Sequence, residues 1–197
     1  LHLGLHEDDG GIAREIRDAR LEVELALEQA IVLDFCEDFD GARANAELAR
    51  ERLATVSDDK LEIDLALAFG RDQFRRQHYE EAAATFRDVL ARARAKGRHE
   101  TSTIAALLLG PALSDLGRLD EAERVFEQLI ADCIAHDDRF HLAAAYGNRA
   151  WLWSAKGEID RTADDLRHAS QLARESGQAV VERSVVHNLS EQMLWEG

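Results

Sequence analysis

The residue types best suited to chemistry gather in two short runs. His136-Asp137-Asp138 with His141 brings imidazoles and carboxylates close together, and His6-Glu7-Asp8-Asp9 does the same near the start of the chain. Imidazole and carboxylate are ligands that zinc accepts. The first run, however, falls at a connection between helices, where Asp side chains are expected to cap orphan N–H groups. The second run is no better placed. We therefore expect no metal and no cofactor. The chain also has no Gly-rich phosphate loop, no HExxH and no paired-cysteine motif, so no nucleophile, base or phosphate cradle is assembled. The two cysteines, Cys36 and Cys133, are far apart and unpatterned. That suits a reduced, cytoplasmic protein. These residues point away from an enzyme.

The elements that must position any site follow a repeat of 40 residues. Gly70 recurs as Gly110 and nearly as Ala150, and Gln77 as Gly117 and Gly157. Ala82 recurs as Ala122, Phe86 as Phe126, and Gly97, Asp137 and Gly177 keep the same step. A fixed period of this size signals stacked supersecondary units. With one proline and abundant Ala, Leu, Glu and Arg, the units read as nearly all helix. The predicted order is a flexible leader over 1–11 and one solenoid over 12–197. Its hairpins span about 12–56, 60–97, 101–136 and 138–177, and an unpaired helix covers 178–196. Asp38-Phe39-Asp40-Gly41 is expected to break the first hairpin, with its second helix starting at Ala42. Ser57-Asp58-Asp59 is a helix-start signal. Pro111 stands mid-helix. It should bend that helix and widen any groove, or be a tolerated irregularity, which is the reading we favour.

The net charge of −15 would repel phosphate backbones, so nucleic acid is not an expected partner. The acidity serves solubility or a preference for basic partner segments. No apolar run approaches the length of a membrane span. The chain opens on Leu1 rather than Met, as a fragment or a processed chain does.

Phe69-Gly70 leads to Ala82 and Phe86, and Leu109-Gly110 to Ala122 and Phe126. This pattern resembles the tetratricopeptide repeat family. Small residues at Gly70, Gly110, Ala82 and Ala122 let paired helices approach, and each Phe fills the space one turn on. The family's Trp is Ala66 and Ala106 here, and its helix-ending Pro is Arg94 and Ile134. Without that Pro the second helix runs longer, consistent with a period of 40. The period resembles the subclass seen in kinesin light chains and bacterial regulators. The resemblance implies a right-handed superhelical all-α solenoid of antiparallel hairpins that binds proteins or peptides without catalysis. The alternative is a ligand- or peptide-sensing module of a larger bacterial signalling protein.

The resemblance further implies that the first helix of each hairpin lines a concave groove. In the fourth hairpin that stripe includes Asn148 and Trp151. Forty residues on it holds His187, Asn188, Glu191 and Trp195. In such repeats Asn at this position holds a peptide backbone, since it both donates and accepts. Trp adds area of the kind enriched at binding hot spots. The other reading leaves both Asn side chains merely solvated. If the groove is right, Asn148→Ala weakens binding and leaves stability nearly unchanged. Earlier groove positions run from acidic (Glu24, Glu28, Asp34, Asp38, Asp64) through Arg71, Arg75 and His78 to apolar Ile104, Leu107 and Leu108.

The last helix has too many apolar residues for one buried stripe, from Val181 to Trp195. A terminal cap needs a polar outer face. The expectation is that the protein continues past Gly197, or that this helix pairs with a second copy as a homodimer.

Overall fold

A computed structural model describes residues 7–177. Eight helices and no strand run through them: α1 (Glu7–Phe35), α2 (Phe39–Leu53), α3 (Asp59–Arg75), α4 (Tyr79–Ala95), α5 (His99–Asp115), α6 (Leu119–Ala135), α7 (Arg139–Lys156) and α8 (Ile159–Glu175). The helix expected over 178–196 lies outside the described residues.

The repeat is written into the backbone. Glu37, Gln77, Gly117 and Gly157 take φ of 62, 63, 70 and 76°, and Gly97, Asp137 and Gly177 take 65, 51 and 70°. At these left-handed positions a helix stops, and at each of them before Gly177 the N–H one residue later folds back five residues. Asp38 N–H reaches the Leu33 carbonyl at 2.9 Å, Arg118 that of Leu113 at 2.9 Å and Glu158 that of Trp153 at 2.8 Å. Such bonds satisfy carbonyls that a helix end would otherwise orphan. The connection after α2 differs: the chain runs extended into Asp58, whose carboxylate accepts from Lys60 and Leu61 N–H.

Two boundaries correct the sequence reading. Helix α1 begins at Glu7, so the leader expected over 1–11 is helical from there and Gly10 and Gly11 lie inside the helix. The run Glu7-Asp8-Asp9 is the composition that a helix N-terminus favours. Helix α2 begins at Phe39 and not at Ala42, because the Asp38 carboxylate accepts the Gly41 N–H at 2.9 Å. The expected breaker is a cap and a first turn. Helix α5 continues through Pro111.

The chain divides into two compact units, Leu1–His78 and Tyr79–Gly197. The boundary falls between α3 and α4, inside the hairpin expected over 60–97. In the first unit α1, α2 and α3 pack on one another around Val23, Leu27, Ala49, Leu53, Leu61 and Leu65. In the second, each helix from α4 to α8 packs on the next, and α5 also meets α7. There Phe126 is fully buried, and a Cβ added to Gly110 would stand 2.3 Å from its ring. That clash is the physical content of the Gly110 and Phe126 signature. In the last pair Ala150 takes the small-residue place and packs with Leu166 and Ala169, beside Tyr146.

Candidate functional site

Helix α7 carries Asn148 and Trp151 one turn apart. Trp151 is 60% exposed, an unusual state for an indole, and Asn148 is half-buried. The Asn148 Nδ2 donates to the Leu107 carbonyl of α5 at 3.1 Å. Leu107 lies four residues before Pro111, and proline has no N–H with which to close that helical bond. Asn148 thus supplies a donor that Pro111 withholds. The bond engages one amide hydrogen and leaves the side-chain oxygen and the second hydrogen uncommitted. His187, Asn188 and Glu191 lie outside the described residues, as does Trp195.

Arg71 and Arg75 of α3 do not project as free cations. Both turn to Asp34 of α1, which is 5% exposed. Arg75 grips its carboxylate by Nε at 2.9 Å and Nη2 at 3.2 Å, and Arg71 by Nη1 at 3.3 Å. The Arg71 Nε is buried with no acceptor. Burial lowers the Arg71 pKa below the ordinary arginine value; Asp34 opposes this and the like charge of Arg75 adds to it. Phe35 and Phe39 lie 5.9 and 5.2 Å from the Arg71 and Arg75 guanidiniums, within cation–π range. A small cavity of about 20 Å3 opens here, between α1, α2 and α3.

A second buried carboxylate was not legible as such. Asp165 of α8, 4% exposed, accepts both Nε and Nη2 of Arg149 at 2.7 and 2.8 Å, and the Trp153 indole N–H at 2.8 Å. Burial opposes the Arg149 charge, but the Asp165 hydrogen bonds outweigh it and raise its pKa. Trp153 is 1% exposed, and Arg161 stacks on its ring at 3.3 Å. The sequence signal was Arg149 in the place where earlier repeats hold Phe69 and Leu109.

The histidine run is a cap and a stack. Asp138 accepts the His141 N–H at 3.1 Å and pairs with its ring at 2.7 Å. Burial would raise the Asp138 carboxyl, but His141 outweighs it and holds the group below the usual range. His136 stacks on His99 with ring centroids 3.5 Å apart. No group of three or more His, Cys, Asp or Glu among the described residues is arranged to hold a metal. Cys36 is exposed. Cys133 is buried, and burial, with Asp138 and Asp132 nearby, pushes its thiol up to about 12, which makes it inert.

Helical hairpins with left-handed turns at a fixed step define an all-α repeat protein. Solved structures agree. A Rap protein complexed with Competence and Sporulation Factor matches 90% of this chain and 50% of its own at 16% identity, with a TM-score of 0.81. The Rap conjugation gene regulator of the plasmid pLS20, solved with a Phr peptide, matches 91% and 50% at 17% identity and 0.77. Aspartyl phosphate phosphatase F from Bacillus subtilis matches 83% and 43% at 14% identity and 0.71. The chain spans about half the length of these proteins. At such identities the likeness shows the fold, an all-helical repeat solenoid. No protein-family model matches the chain, and no curated relative matches it.

Proposed function

We propose that the chain is a non-catalytic scaffold that binds a protein or an extended peptide along the first helices of its hairpins. The observation that carries this is Trp151, an indole left 60% exposed one turn from half-buried Asn148. An aromatic anchor beside an amide that both donates and accepts suits a peptide backbone with an apolar side chain. Two proteins of the same fold were solved with a factor or a peptide bound. We read His187, Asn188 and Glu191 as the continuation of this surface, and the repeat as one of the longer-period subclass. The net charge of −15 favours basic segments of the partner over nucleic acid. No described helix is long and apolar enough to cross a membrane, and the cysteine usage suits the cytoplasm. Pairing of two copies through 178–196 belongs to the same reading.

Affinity selection of a random hexapeptide pool on the full chain, read by mass spectrometry, tests this. A subset should be enriched, and Trp151→Ala should cut the enrichment by about thirtyfold, the scale of a hot-spot residue. Equal recovery on the chain and on Trp151→Ala would overturn it. A second reading is a sensing module of a larger bacterial signalling protein, in which the same ligand shifts hairpin packing. The factor and the peptide found with two proteins of the same fold favour it.

A further inference from the structure

We propose that the outer face of α1 docks an amphipathic helix of another polypeptide, one with an apolar seam and a Lys or Arg set opposite Glu28. The surface is built on α1 alone and stands whether or not Trp151 and Asn148 bind a peptide.

Leu21, Leu25, Glu28, Val32 and Phe35 follow one another at alternating steps of four and three residues. That spacing draws one stripe along a helix and is the seam of two coiled helices. Val23, Ala26 and Leu27 lie on the opposite side of α1 and pack with Ala49, Leu53, Leu61 and Leu65. The apolar side chains of the stripe are between 50 and 72% exposed. Apolar groups lined up in this way mark an interaction surface, whereas single ones scattered over a surface do not.

The repeat says what belongs on this face. Forty residues on, Leu61 and Leu65 hold the places of Leu21 and Leu25, and they are 1 and 8% exposed. Their cover is helical: Val23, Ala26 and Leu27 of α1 with Ala49 and Leu53 of α2. In the second unit Ala145 and Leu152, three repeats after Leu25 and Val32, are fully buried as well. A face that is closed on α3 and α7 is thus bare on α1.

Charge selects the partner. Glu28 sits exposed in the middle of the stripe, where the later repeats hold Ala68, Leu108 and Asn148. The neighbouring acids are already answered, Glu22 by Arg52 at 3.1 Å and Glu24 by Arg20 at 3.4 Å. The Glu28 carboxylate has no ion pair or hydrogen bond with a described residue. Closing the seam strips water from that carboxylate, so the occupant must bring a cation. The net charge of −15 draws a basic helix in the same direction. A second copy of α1 does not meet the need. Two-fold pairing about the centre of the stripe brings two Glu28 carboxylates together, a like-charge contact that costs affinity.

The test is fluorescence anisotropy of the full chain with two stapled helices of three heptads, carrying Leu and Ala at the seam and either Lys or Glu at its centre. The Lys helix should bind at least about fivefold tighter than the Glu helix, the scale of one ion pair at a surface. Glu28→Lys should reverse that order. Leu25→Glu should weaken the Lys helix by at least about tenfold. Leu25 and Glu28 are exposed, so the thermal unfolding midpoint should hold in both variants, which ties a loss of binding to the surface and not to the fold. Trp151→Ala should leave the affinity for the Lys helix unchanged, which separates this surface from the peptide-binding reading. No binding of either helix overturns the docking surface, and binding that Glu28→Lys does not reorder overturns the basic partner. Sedimentation of the chain alone reads a second copy: a dimer that Leu25→Glu dissociates overturns the proposal in its favour. A synthetic 178–196 peptide that binds tighter than the Lys helix, and is lost in Leu25→Glu, overturns it in favour of the chain's own segment.

Discussion

Asp34 in the first unit and Asp165 in the second are both almost wholly buried, at 5% and 4% exposure, yet they are held in opposite ways. Asp165 meets one guanidinium through two bonds of 2.7 and 2.8 Å and one indole N–H at 2.8 Å. Its charge is matched one to one inside a wall of packed side chains. Asp34 meets two guanidiniums through contacts of 2.9 to 3.3 Å, and a cavity adjoins them. A closed pair fixes how two helices pack, because any slip leaves a buried charge alone. An open cluster lets its arginines exchange one partner for water. The contrast separates a closed ion pair from one with room beside it.

The largest effect should come from breaking the closed pair. Asp165→Ala leaves Arg149 without its partner and the Trp153 N–H without an acceptor, and should cost about 3–5 kcal/mol in urea unfolding. Asp34→Ala should cost somewhat less: Arg75, with 39% of its side chain exposed, can turn to water, although Arg71, with 16% exposed, is left buried and unpaired. A larger loss at Asp34 than at Asp165 would erase the distinction. Gly110→Ala comes next. Its Cβ would meet the Phe126 ring at 2.3 Å, and overpacking of this kind costs about 1–3 kcal/mol. Phe126→Leu in the same chain should recover part of it, which would show that packing alone governs this part of the second unit.

Periodicity made the architecture legible. Gln77, Gly117 and Gly157 mark turns in the sequence, and each occupies a left-handed turn position in the structure. The expected leader is helical from Glu7 because an acidic run suits a helix N-terminus, and α2 starts early because Asp38 caps as readily as it breaks. The site was less legible, for a physical reason. Helical spacing says which face a residue shares but not who answers its charge. Asp34 was read as one of several groove acids, although Val23, Leu27, Ala30 and Asp34 form one stripe on α1 and are all buried. Spacing places Arg71 and Arg75 in the groove but does not show their partner, which lies about 40 residues away in sequence. The same holds for Asn148 and Leu107.

Asn148 provides the smallest and most discriminating effect, because it belongs partly to each side of the contrast. Its bond to the Leu107 carbonyl is structural, so the expectation that Asn148→Ala leaves stability unchanged gives way to a cost of about 1 kcal/mol, one ordinary hydrogen bond. A double-mutant cycle with Pro111→Ala isolates the cause. Alanine at 111 restores the N–H four residues after Leu107, so the carbonyl no longer needs Asn148. In that background Asn148→Ala should cost close to nothing, a coupling of about 1 kcal/mol measured by urea unfolding of the four chains. Simple additivity would mean that what the amide contributes does not depend on the donor that Pro111 withholds. The cycle also predicts a sign for binding. Pro111→Ala releases the Asn148 amide from Leu107, so selected hexapeptides should bind the Pro111→Ala chain at least as tightly as the parent, and lose that gain when Asn148→Ala is added.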